Sequence, residues 1–82
     1  MEKVYSYTVL FEPAEEGGFV VRVPALPGCI TEGDTLDEAR RMAKDAILGY
    51  LEVLKKDGQP IPDDVDLKDD PVKEKLSVGL TA

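Results

Sequence analysis

At 82 residues, with a formal net charge of −7 and a pI near 4.4, the chain reads as a single acidic domain spanning residues 1–82. That charge works against binding to nucleic acid or anionic membrane, both held mainly through Lys and Arg, and it suits a basic partner. The sequence has no histidine and one cysteine, Cys29. This removes the commonest general base near neutral pH, an internal disulfide and any Cys-x-x-Cys metal or redox motif.

A domain of this size buries roughly 60% of the surface of its unfolded chain, which makes oligomerisation a reasonable expectation. Met1 to Glu12 lacks a basic stretch followed by an apolar one, and no apolar run approaches a membrane span. A cytoplasmic protein with no membrane association is expected.

In chain order, Val4 to Phe11 alternates. Tyr5, Tyr7, Val9 and Phe11 share one face, and the period of two with β-branched and aromatic residues predicts a strand. Glu12 to Gly18 has the proline, charge and paired glycines of a hairpin loop. Phe19 to Val23 is a second strand, antiparallel to the first and ended by Pro24, which cannot donate to the ladder. Ala25 to Gly28 turns the chain into a short third strand, Cys29 to Glu32.

Thr35 to about Asp57 carries the strongest signal. Thr35 and Glu38 fit a capping box, Asp37 and Glu38 suit the helix start, and Lys55 and Lys56 suit its end. Ala39, Ala43, Ala46, Ile47, Tyr50, Leu51 and Leu54 form an apolar stripe at helical spacing. Gly58 to Val72 is a proline- and aspartate-rich extended connection that Ile61, Val65 and Leu67 could tack down. Glu74 to Leu80 alternates as a fourth strand. A helical crossover predicts that this strand lies parallel to the first, in the order β3-β2-β1-β4. The fold class is therefore α+β, β-β-β-α-β: a three-stranded antiparallel meander, a parallel fourth strand and one long helix on one face.

The residues offer little chemistry. Cys29 has no histidine to activate it and reads as a buried strand residue. Asp64-Val65-Asp66 starts like a calcium loop, but Lys68 and Asp69 break the pattern. Asp63, Asp64, Asp66, Asp69 and Asp70 read as a solvated face. No acidic set converges from the strand centres as a metal-dependent nuclease would need. No catalytic residue, metal or cofactor is predicted.

The run from Gly18 to Ala39, with Pro24, Leu26, Pro27, Gly28 and Cys29 at its turn, then Thr31, Gly33, Thr35, Glu38 and Ala39, closely resembles the N-terminal domain of the HicB antitoxin family. Gly58 to Pro62 resembles that family's post-helix segment. The resemblance implies a partial ribonuclease H-like fold without nuclease activity. It also implies a role in binding and neutralising a small basic HicA-type mRNA interferase. Many HicB proteins carry a C-terminal DNA-binding domain. This sequence ends at Ala82, so a stand-alone member is expected and DNA binding is not carried over. The alternatives are an orphan self-assembling module with another protein partner, and a metal-dependent nuclease. Glu15, Glu16, Glu32 and Asp34, acids in and around the loops, are the candidate partner-binding residues.

Overall fold

The computed structural model describes residues 2–65 and 73–81. Strand β1, Glu2–Pro13, forms a hairpin with β2, Phe19–Arg22, and β2 pairs with β3, Ile30–Gly33. Helix α1, Leu36–Lys56, follows, and β4, Lys73–Thr81, completes the sheet in the order β3-β2-β1-β4. All three strand pairs are antiparallel.

Period-two alternation decides which side chains meet the helix. Tyr7, Val9 and Phe11 of β1, Val21 of β2 and Leu76, Val78 and Leu80 of β4 are buried together. From α1, Ala39, Ala43, Ile47 and Leu51 are buried, each four residues from the last and so on one face. The other sheet face is open at Val4 and Ile30, both more than half exposed, while Thr8 is buried.

The helix starts and ends as its sequence requires. Thr35 has extended backbone, and its Oγ1 accepts from the Glu38 amide at 3.1 Å. At the far end the Gly58 and Gln59 amides return to the carbonyls of Lys55 and Leu54, at 3.1 and 2.8 Å.

The direction of β4 corrects the expectation. It runs antiparallel to β1, pairing Leu10 with Lys73 and Glu2 with Thr81. A parallel strand would need to start near the end of the helix. Instead the Arg40 Nε, in the first turns of α1, meets both Glu74 carboxylate oxygens at 2.9 and 3.0 Å. The Lys55 ammonium, near the helix end, donates to the Thr81 carbonyl. Helix and β4 thus run the same way, and the described residues after Lys56 return to the middle of β1 at Tyr7 and Thr8.

The described part of that return path is pinned to β1. The Tyr7 hydroxyl donates to the Pro62 carbonyl at 2.6 Å, and the Asp64 carboxylate accepts from the Thr8 amide at 2.8 Å and the Thr8 hydroxyl at 2.9 Å. Ile61 packs against the core. Asp64 therefore does not belong to a solvated face: its side chain is 15% exposed. Leu67, Asp66, Asp69 and Asp70, which figured in the sequence reading, lie outside the described residues.

Candidate functional site

The run from Pro24 to Ala39 is a mechanical unit. The Leu26 amide donates to the Val23 carbonyl at 3.0 Å, the Cys29 amide to Leu26 at 2.9 Å, and the Val23 amide to Cys29 at 3.1 Å. Gly28 takes φ +83°, a region other residues enter only with strain. Leu26 is fully buried, and Ala25 and Cys29 nearly so. The Tyr50 hydroxyl donates to the Pro27 carbonyl at 2.9 Å and ties this turn to the helix.

Gly33 has a different reason to be glycine. A Cβ there would stand 2.5 Å from the Ala39 nitrogen and 2.7 Å from its Cα. Strand β3 and the helix start touch backbone to backbone, which requires glycine at position 33. Thr31, Thr35 and Glu38 complete the strand and the cap. The recognisable sequence pattern is thus explained by folding alone.

Burial pushes the Cys29 thiol up, so it is poorly suited to act as a thiolate nucleophile. Among the described residues, no three His, Cys, Asp or Glu side chains converge as a metal site. Burial, followed by the charges of Tyr5, Asp64 and Asp63, raises the Tyr7 hydroxyl, which stays a neutral donor to Pro62.

The four candidate acids lie toward one end of the sheet. Glu15 and Glu16 occupy the β1–β2 turn, which is closed by the Gly17 amide on the Ala14 carbonyl at 3.0 Å. Gly18, next in line, lies against Gly33 and Asp34: a Cβ on it would meet the Gly33 carbonyl oxygen at 2.6 Å. Glu32 lies in β3 opposite Val20, and Asp34 follows the strand. All four are exposed, and among the described residues no ion pair engages them. By contrast Glu12 pairs with Arg22, while Asp37 and Glu74 pair with Arg40. The arrangement can attract a cationic surface.

Asp64 is the functional-looking group that sequence reasoning missed. Burial alone would raise its pKa. Bonds from the Thr8 amide and hydroxyl, the Val65 amide and Lys75 outweigh this and hold the carboxyl below its ordinary value. Its job is structural, since it satisfies a β1 amide. No local signal marks it, because the partners are 56 residues apart in the chain.

The model of the HicB_like antitoxin family of bacterial toxin-antitoxin systems matches residues 7–76. The chain belongs to that family. Among its relatives are a UPF0150 protein of Thermoplasma acidophilum, 52% identical over 71% of this chain and 84% of its own length, and one of Synechocystis, 38% identical over 94% and 91%. Antitoxin HicB of Escherichia coli K12 is 35% identical over 89% of this chain, which spans 54% of that antitoxin.

Among solved structures, the N-terminal domain of Burkholderia pseudomallei antitoxin HicB superposes with a TM-score of 0.72 at 19% identity, covering 94% of this chain and 99% of that one. A chain of the HicA3 and HicB3 toxin-antitoxin complex gives 0.59 at 22% identity, covering 98% and 100%. The HicB-like fold is thereby shared, and membership in an antitoxin family assigns the chain a non-enzymatic role. No described helix is long and apolar enough to cross a membrane.

Proposed function

We propose that this HicB-like chain is the antitoxin of a toxin-antitoxin pair and neutralises a basic HicA-type mRNA interferase by binding it. The observation that carries this reading is the family match across residues 7–76, to which the net charge of −7 adds the right sign for a basic toxin. The unpaired acids Glu15, Glu16, Glu32 and Asp34 are the contacts first assigned to that partner. The ribonuclease H-like scaffold would here serve recognition rather than hydrolysis. The pair acts in the cytoplasm, and this domain makes no direct contact with nucleic acid.

The test is a calorimetric titration with the HicA-type protein of the same genome, followed by an RNA cleavage assay on the mixture. Tight binding with loss of cleavage is expected. Glu32→Lys with Asp34→Lys should weaken binding about tenfold while leaving the melting temperature nearly unchanged. Wild-type affinity in that double variant removes both residues from the interface, and failure of the wild type to bind overturns the reading. One observation favours a second use, pairing between copies: β4 is a nine-residue strand at the sheet edge. Sedimentation of the chain alone measures that directly.

A further inference from the structure

Helix α1 has two apolar stripes. One is the buried row facing the sheet. The other, Met42, Ala46, Gly49 and Val53, recurs at spacings of four, three and four residues and lies on the helix flank toward the turn at Gly28. Ala46 packs partly against the core, while the rest of the stripe is left uncovered by the described residues. Val53 is 58% exposed and Met42 39%, and Gly49 is also exposed. Ala46, Gly49, Tyr50, Val53 and Leu54 form one wall of a mainly apolar groove, and Gly28 to Ile30 form the other.

Gly49 is the informative residue. Glycine inside a helix costs stability relative to almost any other residue. A Cβ at Gly49 would meet nothing within 4 Å, so the chain's own packing does not require glycine here. With Ala46 a turn away, it leaves a shallow seat where another backbone can approach the helix closely.

Beside this stripe runs an acidic ridge, Glu38, Asp45 and Glu52, spaced by seven residues and so on one side of the helix. Among the described residues, no ion pair engages any of the three. Lys56 closes the ridge at its C-terminal end. The ridge begins one turn beyond Asp34 and runs down the helix, with exposed Arg41 beside Glu38 and Asp45 as a cation within it.

We infer that this groove seats a basic amphipathic helix of the toxin, with its apolar seam on Ala46, Gly49 and Val53 and its flanking Lys and Arg side chains on Glu38, Asp45 and Glu52. The inference rests on the antitoxin reading and deepens it by naming the apolar anchor that the loop acids lack. The heptad spacing of both stripe and ridge selects a helix lying nearly along α1. Charge selects a foreign partner over a second copy. A two-fold pairing about Gly49 would set Asp45 of one copy against Glu52 of the other, between chains that each carry −7.

Two variants test the assignment by titration with the HicA-type protein of the same genome, alongside the wild type. Gly49→Leu fills the seat with a better helix former, so it should bind at least about tenfold more weakly while melting at the same or a higher temperature. Asp45→Lys with Glu52→Lys should also bind about tenfold more weakly, with a smaller loss of affinity on adding salt. A wild type that binds while both variants match it overturns the groove and leaves the antitoxin reading standing. A wild type that does not bind brings down both. If sedimentation shows a wild-type dimer that Gly49→Leu converts to monomer, the seat belongs to a second copy and the inference is wrong.

Discussion

Two stretches, the run from Pro24 to Thr35 with its turn and short strand β3 and the connection after Lys56, use similar residues and are held in opposite ways. Both carry a glycine at positive φ and more than one proline. The first is closed mainly by hydrogen bonds between residues at most six apart, such as Val23 to Cys29 and Glu38 to Thr35, with the Tyr50 hydroxyl on the Pro27 carbonyl as a longer tie. The second is fixed to β1 by bonds spanning 55 and 56 residues. A locally closed turn takes its shape with little help from the rest of the chain. The connection has a shape only once the sheet exists, so its strength should depend on β1 and on solution conditions that leave the turn untouched.

The largest test of that difference is at the turn's close contact. Gly33→Val places side-chain atoms against the Ala39 backbone, which cannot yield as a flexible side chain would. It should cost on the order of 3 kcal/mol or more in urea denaturation. A loss below about 1 kcal/mol would show that β3 and the helix start can separate freely.

Asp64→Ala comes next. It leaves the Thr8 amide without its acceptor and should cost about 2 kcal/mol. Its effect has a pH signature. The Asp64 carboxyl titrates lower in the folded chain than in the unfolded one. Its stabilisation is therefore complete above the unfolded value and fades as the pH falls below about 4, through the folded value. Wild type should lose stability over that range more steeply than Asp64→Ala. Parallel stability curves would show that the carboxylate does not hold the connection.

Thr35→Ala should have the smallest effect, about 1 kcal/mol, because it removes one cap bond at an exposed helix start. This loss should stay nearly constant between pH 4 and about 8, since no titrating group makes the bond.

The comparison also explains what could be read in advance. The three-stranded meander, the helix with its cap at Thr35 and the strand order all follow from short-range signals: alternation in β1, the turn at Pro27-Gly28, the buried row Ala39, Ala43, Ile47 and Leu51. The direction of β4 did not. A strand after a helix crossover is usually parallel, but here the described part of the connection returns to β1, where Asp64 bonds Thr8. In sequence, Asp64 is one aspartate among several. The exposed stripe on α1 was equally hidden, because Ala46 and Tyr50 blend with the buried row and Gly49 looks like an isolated weak point until the space beside it is seen.

The candidate acids show the same limit. Their presence near loops is visible from the residues, but that Gly18 rests on Gly33 and Asp34, drawing the hairpin turn toward the end of β3, is a tertiary fact. The sequence by itself determined the elements, their caps and turns, the face of each strand and the family, because these depend on periodicity and on bonds between near neighbours. Only the tertiary structure decided the direction of β4, the burial of Asp64 and the open seat at Gly49. Each of these depends on which distant surfaces meet, and no local preference in the chain encodes that.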